Sequence, residues 1–419
     1  MGTVRCFLRP AWAALSIALI LLPGSARVFA ADDLQRLLVQ ALASHPTIAG
    51  REAALGASRA EREGADWQRF PTPSLEASTR DSASSASLLA LEQPLWTGGR
   101  ITSGIRAAGF REEAARSALA ESRETIALRL LNAYGEVVRQ QQRLVHAEIA
   151  VLEHERLAAL IGRRVAQEVS PPSDREFAQA RLAQARVEQS LVRQALQAAR
   201  VQVSQLVGAP VNTVGEPAPG LRPLPVSRES AVETALARSP VLERLDRAAL
   251  AAGADVEARR SVLYPQLAFR LEKQFGTAAD NRALVVLRAQ PGAGLSAGTA
   301  VAAAQRRVEE AMQARAEAVL ALREQVETTW VQYGSALERL EGVRQSVDMS
   351  QAVFESYARQ YVAGRKTWID VLNAVREVTQ SQFALVDAGA QARTAGLTLW
   401  LLTGGLDGMT AVPVDARQP

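Results

Sequence analysis

The sequence predicts a mainly α-helical fold that contains two copies of one unit, each with a short β-hairpin. Three observations predict this fold: long stretches with apolar residues at helical spacing, landmarks that recur about 195 residues later, and short segments of alternating polarity. Aromatic residues make up only 5% of the chain, and Ala and Arg dominate the composition. Such a composition is typical of long helices that pack through small side chains.

The internal repeat rests on short motifs that recur in the same order. The matching pairs are Pro46 and Pro240, Pro71 and Pro265, Gln93-Pro94 and Gln290-Pro291, Tyr134-Gly135 and Tyr333-Gly334, and Gly208 and Gly404. They predict a first repeat over 31–208, a proline-rich linker over 209–226, a second repeat over 227–404 and a tail over 405–419.

The N-terminal segment 1–30 is typical of a secretory signal peptide. Arg5 and Arg9 precede an apolar run from Ala11 to Leu22, and Val28-Phe29-Ala30 resembles a cleavage site. The competing interpretation, a membrane anchor, is disfavoured because the apolar run is short for a spanning helix. The single cysteine lies before that run, so the mature chain is expected to have neither disulfides nor thiolate metal sites.

The charge balance excludes one class of partner. Three of the 48 basic residues and none of the 44 acidic residues lie in the expected signal peptide, so the mature chain is almost neutral. A near-neutral chain with mixed charges gives no support to nucleic-acid binding.

The elements of the first repeat follow in order. Residues 32–66 show helical spacing that Pro46 punctuates early, and a small, polar segment with an apolar patch predicts a β-hairpin at about 74–93. From Ile101 to Gly162, apolar residues keep steps of three, four or seven, as in a coiled-coil seam. The seam residues are Leu119, Ile126, Leu130, Ala133, Val137, Leu144 and Val151. About 65 helical residues give a rod of roughly 100 Å.

The second repeat predicts the same order of elements. Leu267, Phe269 and Leu271 alternate with small or charged residues, so a hairpin with one apolar and one polar face is expected at about 266–290. The chain is expected to reverse at a first tip, about 165–173, and at a second tip, about 361–367. Two shorter helices end to end would match one long helix, which gives a rod with a hairpin at one end and a tip at the other.

The second tip carries ordinary turn and capping signals. Gly364 supplies the backbone freedom that a tight reversal needs. Thr367 is a plausible N-cap of the returning helix, and Asp370 falls in its first turn, where a carboxylate complements the helix dipole. From the local pattern alone, Asp370 and Asp174 are equally well explained as capping residues.

The hairpins predict a membrane barrel that several chains share. A secreted chain without a spanning helix crosses a bilayer only as a closed barrel, and four strands cannot close one alone. Aromatic residues flank both hairpins, as a membrane-interface girdle requires: Trp67, Phe70, Trp96, Tyr264 and Phe275. The alternative is that they pack the junctions between helices and strands.

The duplicated layout, the junction Gln93-Pro94-Leu95-Trp96-Thr97-Gly98-Gly99-Arg100 and the tip from Tyr361 to Ala374 together resemble the TolC-type outer-membrane efflux proteins. The resemblance implies a homotrimer with a twelve-stranded outer-membrane β-barrel and a long antiparallel coiled-coil α-barrel in the periplasm of a Gram-negative bacterium. It further implies the exit duct of a tripartite export system, type I secretion or efflux, with a periplasmic adaptor and an inner-membrane pump as partners. Proteins of this family form a transport duct and have no enzymatic activity and no cofactor.

The resemblance also suggests a gate at the periplasmic tips. Tyr361 and Lys366 match the two residues of the second tip that bond polar groups of the first tip, here Ser173 and Asp174. The family has arginine where this chain has Lys366, and an ammonium group lacks the bidentate fork of a guanidinium. Arg365 is the alternative candidate for that role.

Two further sets of residues follow from the resemblance. Asp370 and Asn373 match a pair of aspartates at the pore constriction, so a trimer would present three carboxylates instead of six. The residues expected to form the tip turns and to contact the adaptor are Val169, Ser170, Val362, Gly364 and Arg365. Pro171-Pro172 departs from the family pattern at the first tip.

Two other functions remain as alternatives. A periplasmic coiled-coil adaptor or scaffold would share the signal peptide and the rods, but it should carry a separate lipoyl-like or β-barrel domain, which the sequence does not show. An enzyme is disfavoured because His45, His146 and His154 are accompanied by no nucleophile or metal motif. These histidines are expected on solvated helix surface. The absence of a lipid-accepting cysteine at the cleavage site favours a protein or adhesin as the exported cargo.

Overall fold

The structure, a computed structural model, describes residues 30–80, 84–215, 224–275, 280–290, 292 and 296–406. The predicted signal peptide and tail therefore lie almost wholly outside the described residues. The helices are α1 (Ala30–Ser44), α2 (Pro46–Trp67), α3 (Arg100–Ala166), α4 (Pro172–Val207), α5 (Arg228–Arg238), α6 (Pro240–Arg260), α7 (Ala297–Val362) and α8 (Trp368–Gly404). The strands are β1 (Thr72–Arg80), β2 (Ser84–Trp96), β3 (Gln266–Phe275) and β4 (Asp280–Arg288).

The two repeats have the same order of elements, as the sequence predicts. Helices α2 and α4 both pack along α3, while α6 and α8 both pack along α7 and also contact α3. Helix α3 has 67 residues and α7 has 66, so each rod is about 100 Å long. No helix in the described part of the chain is both long and apolar enough to cross a bilayer.

The helical segment 32–66 is divided into two helices at Pro46, the residue that punctuates it in the sequence. Helix α1 ends at Ser44 and α2 begins at Pro46, whose ring nitrogen carries no hydrogen for a continuing helix. His45 lies between them in extended conformation and caps α2, because its Nδ1 accepts a hydrogen bond from the Thr47 backbone N–H at 3.2 Å.

The core follows the seam that the sequence predicts in α3. Ile126, Leu130 and Val137 are at most 1% exposed, and they pack with Leu38 of α1 and Leu401 of α8 in one cluster. Full burial of such side chains stabilises the fold by about 1.5–3 kcal/mol each. The buried Tyr134 in this cluster donates a hydrogen bond through its hydroxyl to the Gly215 carbonyl oxygen at 2.6 Å, so the linker is fastened to the rods.

The described strands form one antiparallel sheet in the order β1-β2-β3-β4. Both hairpins are present, and β2 and β3 pair with each other, which joins the two repeats. Phe269, Leu271 and Phe275 lie on one face of β3, and Arg270, Glu272 and Gln274 lie on the other, as the alternation predicts.

Two glycines turn the chain from β2 into α3. Gly98 and Gly99 have φ of 60° and 92°, and Gly99 is the N-cap of α3. A Cβ atom on Gly98 would lie 3.1 Å from the Ser261 carbonyl oxygen, so this position favours glycine for both its conformation and its space.

Aromatic residues surround this end of the sheet. The Trp96 and Tyr264 rings meet edge-on with centroids 6.5 Å apart, and both side chains are 49% exposed. Trp67 and Phe70 form a second pair at 5.2 Å and are also exposed. These aromatics therefore contact one another in pairs at the junction and still present about half or more of their surface outwards.

Candidate functional site

The two tips, where α3 turns into α4 and α7 turns into α8, have the same backbone conformation. In the first tip Glu168 has φ of 59°, and in the second tip Gly364 has φ of 71°. The next residue in each tip, Val169 or Arg365, donates its backbone N–H to a carbonyl five residues earlier, at 2.9 Å. This pattern is the Schellman motif that commonly ends helices. The duplicated tips predicted from the sequence are therefore equivalent in geometry, although only one of them has glycine at the left-handed position.

The start of α8 is fixed by a reciprocal cap. The Asp370 backbone N–H donates to Thr367 Oγ1 at 3.3 Å, and Asp370 Oδ2 accepts from the Thr367 backbone N–H at 3.1 Å. Thr367 Oγ1 also donates to Asp370 Oδ2 at 2.8 Å. This bond, together with the one from the Thr367 backbone N–H, holds the pKa of the Asp370 carboxyl below its usual range. Asp370 therefore acts as a capping residue and stays ionised at the tip. Asn373 lies one turn further along α8 and is exposed.

One side-chain hydrogen bond joins the two tips directly. Trp368 Nε1 donates to Asp174 Oδ2 at 3.0 Å, and the Trp368 ring meets the Phe177 ring edge-on at 5.4 Å. Trp368 is 9% exposed and packs in a cluster with Leu157 and Ile161 of α3. No motif in the sequence predicts this contact. The only signal was a large aromatic residue directly after the predicted N-cap, at a position where a solvated tip would have a polar one.

The bonds that the family resemblance suggests for the gate are not formed within the chain. Tyr361 is buried, and its hydroxyl has no hydrogen-bond partner among the described residues. Lys366 Nζ lies over the Tyr357 ring at 4.3 Å from the centroid. Asp174 is bonded to Trp368 instead, and Ser173 is exposed at the start of α4. Within one chain, therefore, neither Tyr361 nor Lys366 bonds Ser173 or Asp174.

The outermost residues of the tips carry apolar side chains. Val169 is 60% exposed and Val362 is 83% exposed. Gly364 and Arg365 are exposed beside Val362, and Ser170 is partly exposed beside Val169. The expected contact residues are therefore accessible at the ends of the rods.

A polar face runs along α3 and α8 above the tips. Arg139 is paired with Glu136 on its own helix at 2.7 Å and with Asp387 of α8 at 3.2 Å. Arg143 lies 3.4 Å from the same Asp387. Two guanidinium groups of α3 are thus paired with one carboxylate of α8.

The structure corrects the expectation that all three histidines lie on solvated surface. His154 is only 7% exposed because α4 and α8 both cover its side of α3, and burial together with the nearby Arg181 lowers its pKa. His146 is partly buried, and burial lowers its pKa as well. Within the described ranges, no cluster of His, Asp or Glu residues could hold a metal ion.

Comparison with protein families decides the identity. The model of the outer membrane efflux protein family matches residues 37–209 and 231–405, one segment in each repeat. The chain belongs to the outer membrane efflux protein family. It is therefore an outer-membrane channel protein of the Gram-negative type and not an enzyme, and its long helices form the periplasmic part.

Individual relatives agree with this family assignment. The chain is 26% identical over 333 residues to the outer membrane efflux protein BepC of Brucella suis biovar 1 (strain 1330), covering 75% of this chain and 71% of BepC. Its structure is similar to that of the outer-membrane channel OprN, with a TM-score of 0.81 at 20% identity over 90% of this chain and 91% of OprN. It is also similar to VceC of Vibrio cholerae, with a TM-score of 0.79 at 16% identity over 90% of this chain and 96% of VceC. At these identities the two structures show the fold alone.

Proposed function

We propose that three copies of this efflux-family chain form the outer-membrane exit duct of a tripartite export system, of the type I secretion or efflux class. The observation that carries the proposal is the polarity of the four-stranded sheet. Its exposed face is apolar and its opposite face is polar, which is the reverse of a sheet that covers a water-soluble core.

The apolar face continues across all four strands in register. Leu75 pairs with Leu89, Leu91 pairs with Leu271, and Phe269 pairs with Val285. The exposed fractions of these six side chains lie between 36% and 74%. On the other face, Arg270 and Glu272 form an ion pair at 3.0 Å, and Arg288 lies 3.9 Å from Glu92. An apolar outer surface and a charged inner surface suit a barrel wall between lipid and an aqueous lumen.

The sheet has two unpaired edges, β1 and β4. Exposed edges readily pair with other strands, and in hydrocarbon every backbone polar group needs a partner. The strands have 9 to 13 residues, which suits tilted transmembrane strands. Pairing of β4 with β1 of the next copy would satisfy both edges and close the barrel.

The rods support the same assembly. Helix α7 packs mainly on α6 and α8, and it exposes several apolar side chains: Met312, Leu320, Val331, Leu337, Met349 and Val353. Helix α4, on the other side of α3, exposes Val187, Leu191 and Val201. Apolar side chains exposed along both helices suit contacts with neighbouring copies. A head-to-tail contact between α7 and the neighbouring α4 closes into a ring when the rotation permits.

The tips form the periplasmic entrance in this proposal. Three Asp370 carboxylates would surround the axis and favour cations, with Asn373 beside them. The buried Tyr361 hydroxyl and Lys366 remain candidates for bonds across the subunit boundary, and the exposed Val169 and Val362 would contact the adaptor that links the duct to an inner-membrane pump. The absence of a lipid-accepting cysteine favours a protein or adhesin cargo.

The experiment is single-channel recording of the mature protein in a planar bilayer, with its oligomeric mass measured in detergent. We expect a trimer with small, cation-preferring currents. In Asp370→Asn the cation preference should fall while the trimer remains. Asp348→Asn, at an exposed position of α7, is the matched control and should leave the preference unchanged. A non-conducting monomer or dimer would refute the duct and favour the periplasmic scaffold, and unchanged selectivity in Asp370→Asn would remove Asp370 from the constriction.

A further inference from the structure

A cavity lies beside the tips, outside the cap and the Trp368–Asp174 contact, and its lining mixes polar side chains with apolar ones such as Val187, Leu191 and Leu372. It has a volume of about 320 Å³ and opens between α4 and α8, with α3 as its floor. The residues that give it its chemistry are His154, Arg181, Glu188, Asn373 and Arg376. Asn373 and Arg376 lie one and two turns along α8 from Asp370.

The floor of the cavity contains a buried imidazole with a free nitrogen. His154 is 93% buried, and its Nδ1 has no hydrogen-bond partner among the described residues. A buried N–H without an acceptor is costly, so Nδ1 is best left without a proton. The neutral ring then carries its proton on Nε2, which remains available as a donor, and His154 lines the cavity.

The rim of the cavity is positively charged. Arg376 forms no ion pair with any residue in the described part of the chain. Arg181 donates to Gln184 Oε1 at 3.1 Å, and its guanidinium lies over the Phe177 ring at 5.0 Å, so it is held at the rim. Glu188 is the carboxylate that lines the same cavity. Two guanidinium groups against one carboxylate leave an excess positive charge above a buried N–H donor.

We propose that this cavity is a binding site for a carboxylate group. The two oxygens of a carboxylate accept hydrogen bonds from a guanidinium in bidentate geometry, and the imidazole N–H supplies a further donor. A metal ion would meet two positive charges at the rim and a single imidazole, so the charges favour an anion. The volume accommodates a ligand of the size of benzoate. The relevance to transport rests on the proposed function, in which the cavity would hold anionic groups of the cargo next to the Asp370 constriction.

The test is binding of 4-fluorobenzoate to the detergent-purified full-length mature protein, followed by ¹⁹F NMR of the ligand. The neutral isostere 4-fluorobenzamide controls for partition into detergent and for apolar contacts. We expect saturable binding of the carboxylate and a dissociation constant at least about tenfold higher for the amide, because charge-assisted hydrogen bonds are lost.

Three variants locate the site. Arg376→Gln should weaken 4-fluorobenzoate binding about tenfold, and His154→Gln should weaken it as well. Arg193→Gln is the matched control, since it removes one exposed guanidinium from α4 that does not line the cavity, and it should bind as the wild type does. If His154→Gln fails to assemble, the exposed Arg376→Gln still tests the site.

The result that overturns the proposal is equal binding of the carboxylate and the amide, or an equal loss of affinity in Arg376→Gln and Arg193→Gln. Absence of saturable binding to the wild type overturns it as well. The ¹⁹F NMR binding measurement does not depend on whether the protein conducts ions as a channel. Carboxylate binding by a protein that forms no channel would therefore refute the duct and keep the site, and a conducting trimer without binding would refute the site alone.

Discussion

Replacement of Trp368 by phenylalanine tests whether the two tips are held together by the indole. Phenylalanine keeps an aromatic ring beside Phe177 but cannot donate to Asp174. The hydrogen bond at 3.0 Å is lost, while the buried cluster under the tips keeps most of its apolar contacts. The expected effect is a local opening of the tips without loss of the fold.

The magnitude follows from the environment of the bond. A hydrogen bond to a charged group contributes about 1.5–3 kcal/mol, and the larger losses arise where the remaining group stays buried and unpaired. Asp174 is only partly buried, so water can replace the indole as its hydrogen-bond donor. The stability lost with the hydrogen bond is therefore only about 1 kcal/mol. The smaller ring adds about 1 kcal/mol of lost apolar burial. The total of about 2 kcal/mol corresponds to roughly 30-fold more frequent opening.

Hydrogen exchange followed by mass spectrometry measures this opening at the level of peptides. In Trp368→Phe, amides of both tips should exchange roughly 30-fold faster, while amides in the middle of α3 keep their protection. Trp330→Phe is the matched control, because Trp330 is partly buried in another cluster and makes no hydrogen bond to the described residues through its indole. It should leave the tips unchanged.

Exchange at the tips that is equal in Trp368→Phe and the wild type would refute the reasoning, because the bond would then add nothing to the stability of the tips. Acceleration of the second tip alone would show that Trp368 packs α8 without joining it to α4.

Two further predictions concern titration and backbone strain. Burial, with a smaller contribution from Glu121, raises the pKa of Glu124 to about 7, so its ionisation disfavours the folded state increasingly from pH 4.5 to pH 7 and fully above that range. Glu124→Gln should therefore raise the free energy of unfolding at pH 8 by about 1–2 kcal/mol, a value reduced because water screens part of the side chain. At pH 4 the free energy of unfolding should stay unchanged. A thermal midpoint that rises equally at pH 4 and pH 8 would contradict this prediction. At the tips, Gly364→Ala should destabilise by about 1 kcal/mol, because alanine disfavours positive φ. Glu168→Gly should be neutral or slightly stabilising in the same thermal assay, and similar losses for both changes would show that the backbone conformation is not the cause.

Local sequence pattern determines most of the elements of this fold. The heptad-like steps in α3 predict a buried seam, and Ile126, Leu130 and Val137 are indeed buried in it. Alternation in β3 predicts which residues share a face. These properties depend on neighbours within a few residues, so the sequence is sufficient to predict them. The break between α1 and α2 is also local, and Pro46 marks it in the sequence.

The partners of the candidate site residues depend on contacts between distant parts of the chain. Asp174 and Trp368 are 194 positions apart, and they meet only because the two tips end at the same height. Within one chain the indole of Trp368 donates to Asp174, and the bonds expected of Tyr361 and Lys366 stay predictions for the assembled protein. Sequence similarity to a family could indicate the position of a gate but not the bonds within it.

The amino-acid sequence by itself determined the repeated plan, the two hairpins and the capping of the tips, because periodicity and turn residues act over short distances. The tertiary structure alone decided that His154 is buried at the floor of a cavity between α4 and α8 and that the Trp368 indole donates to Asp174. Both outcomes depend on which helices and strands lie side by side, and burial is a property of that arrangement and not of any single segment.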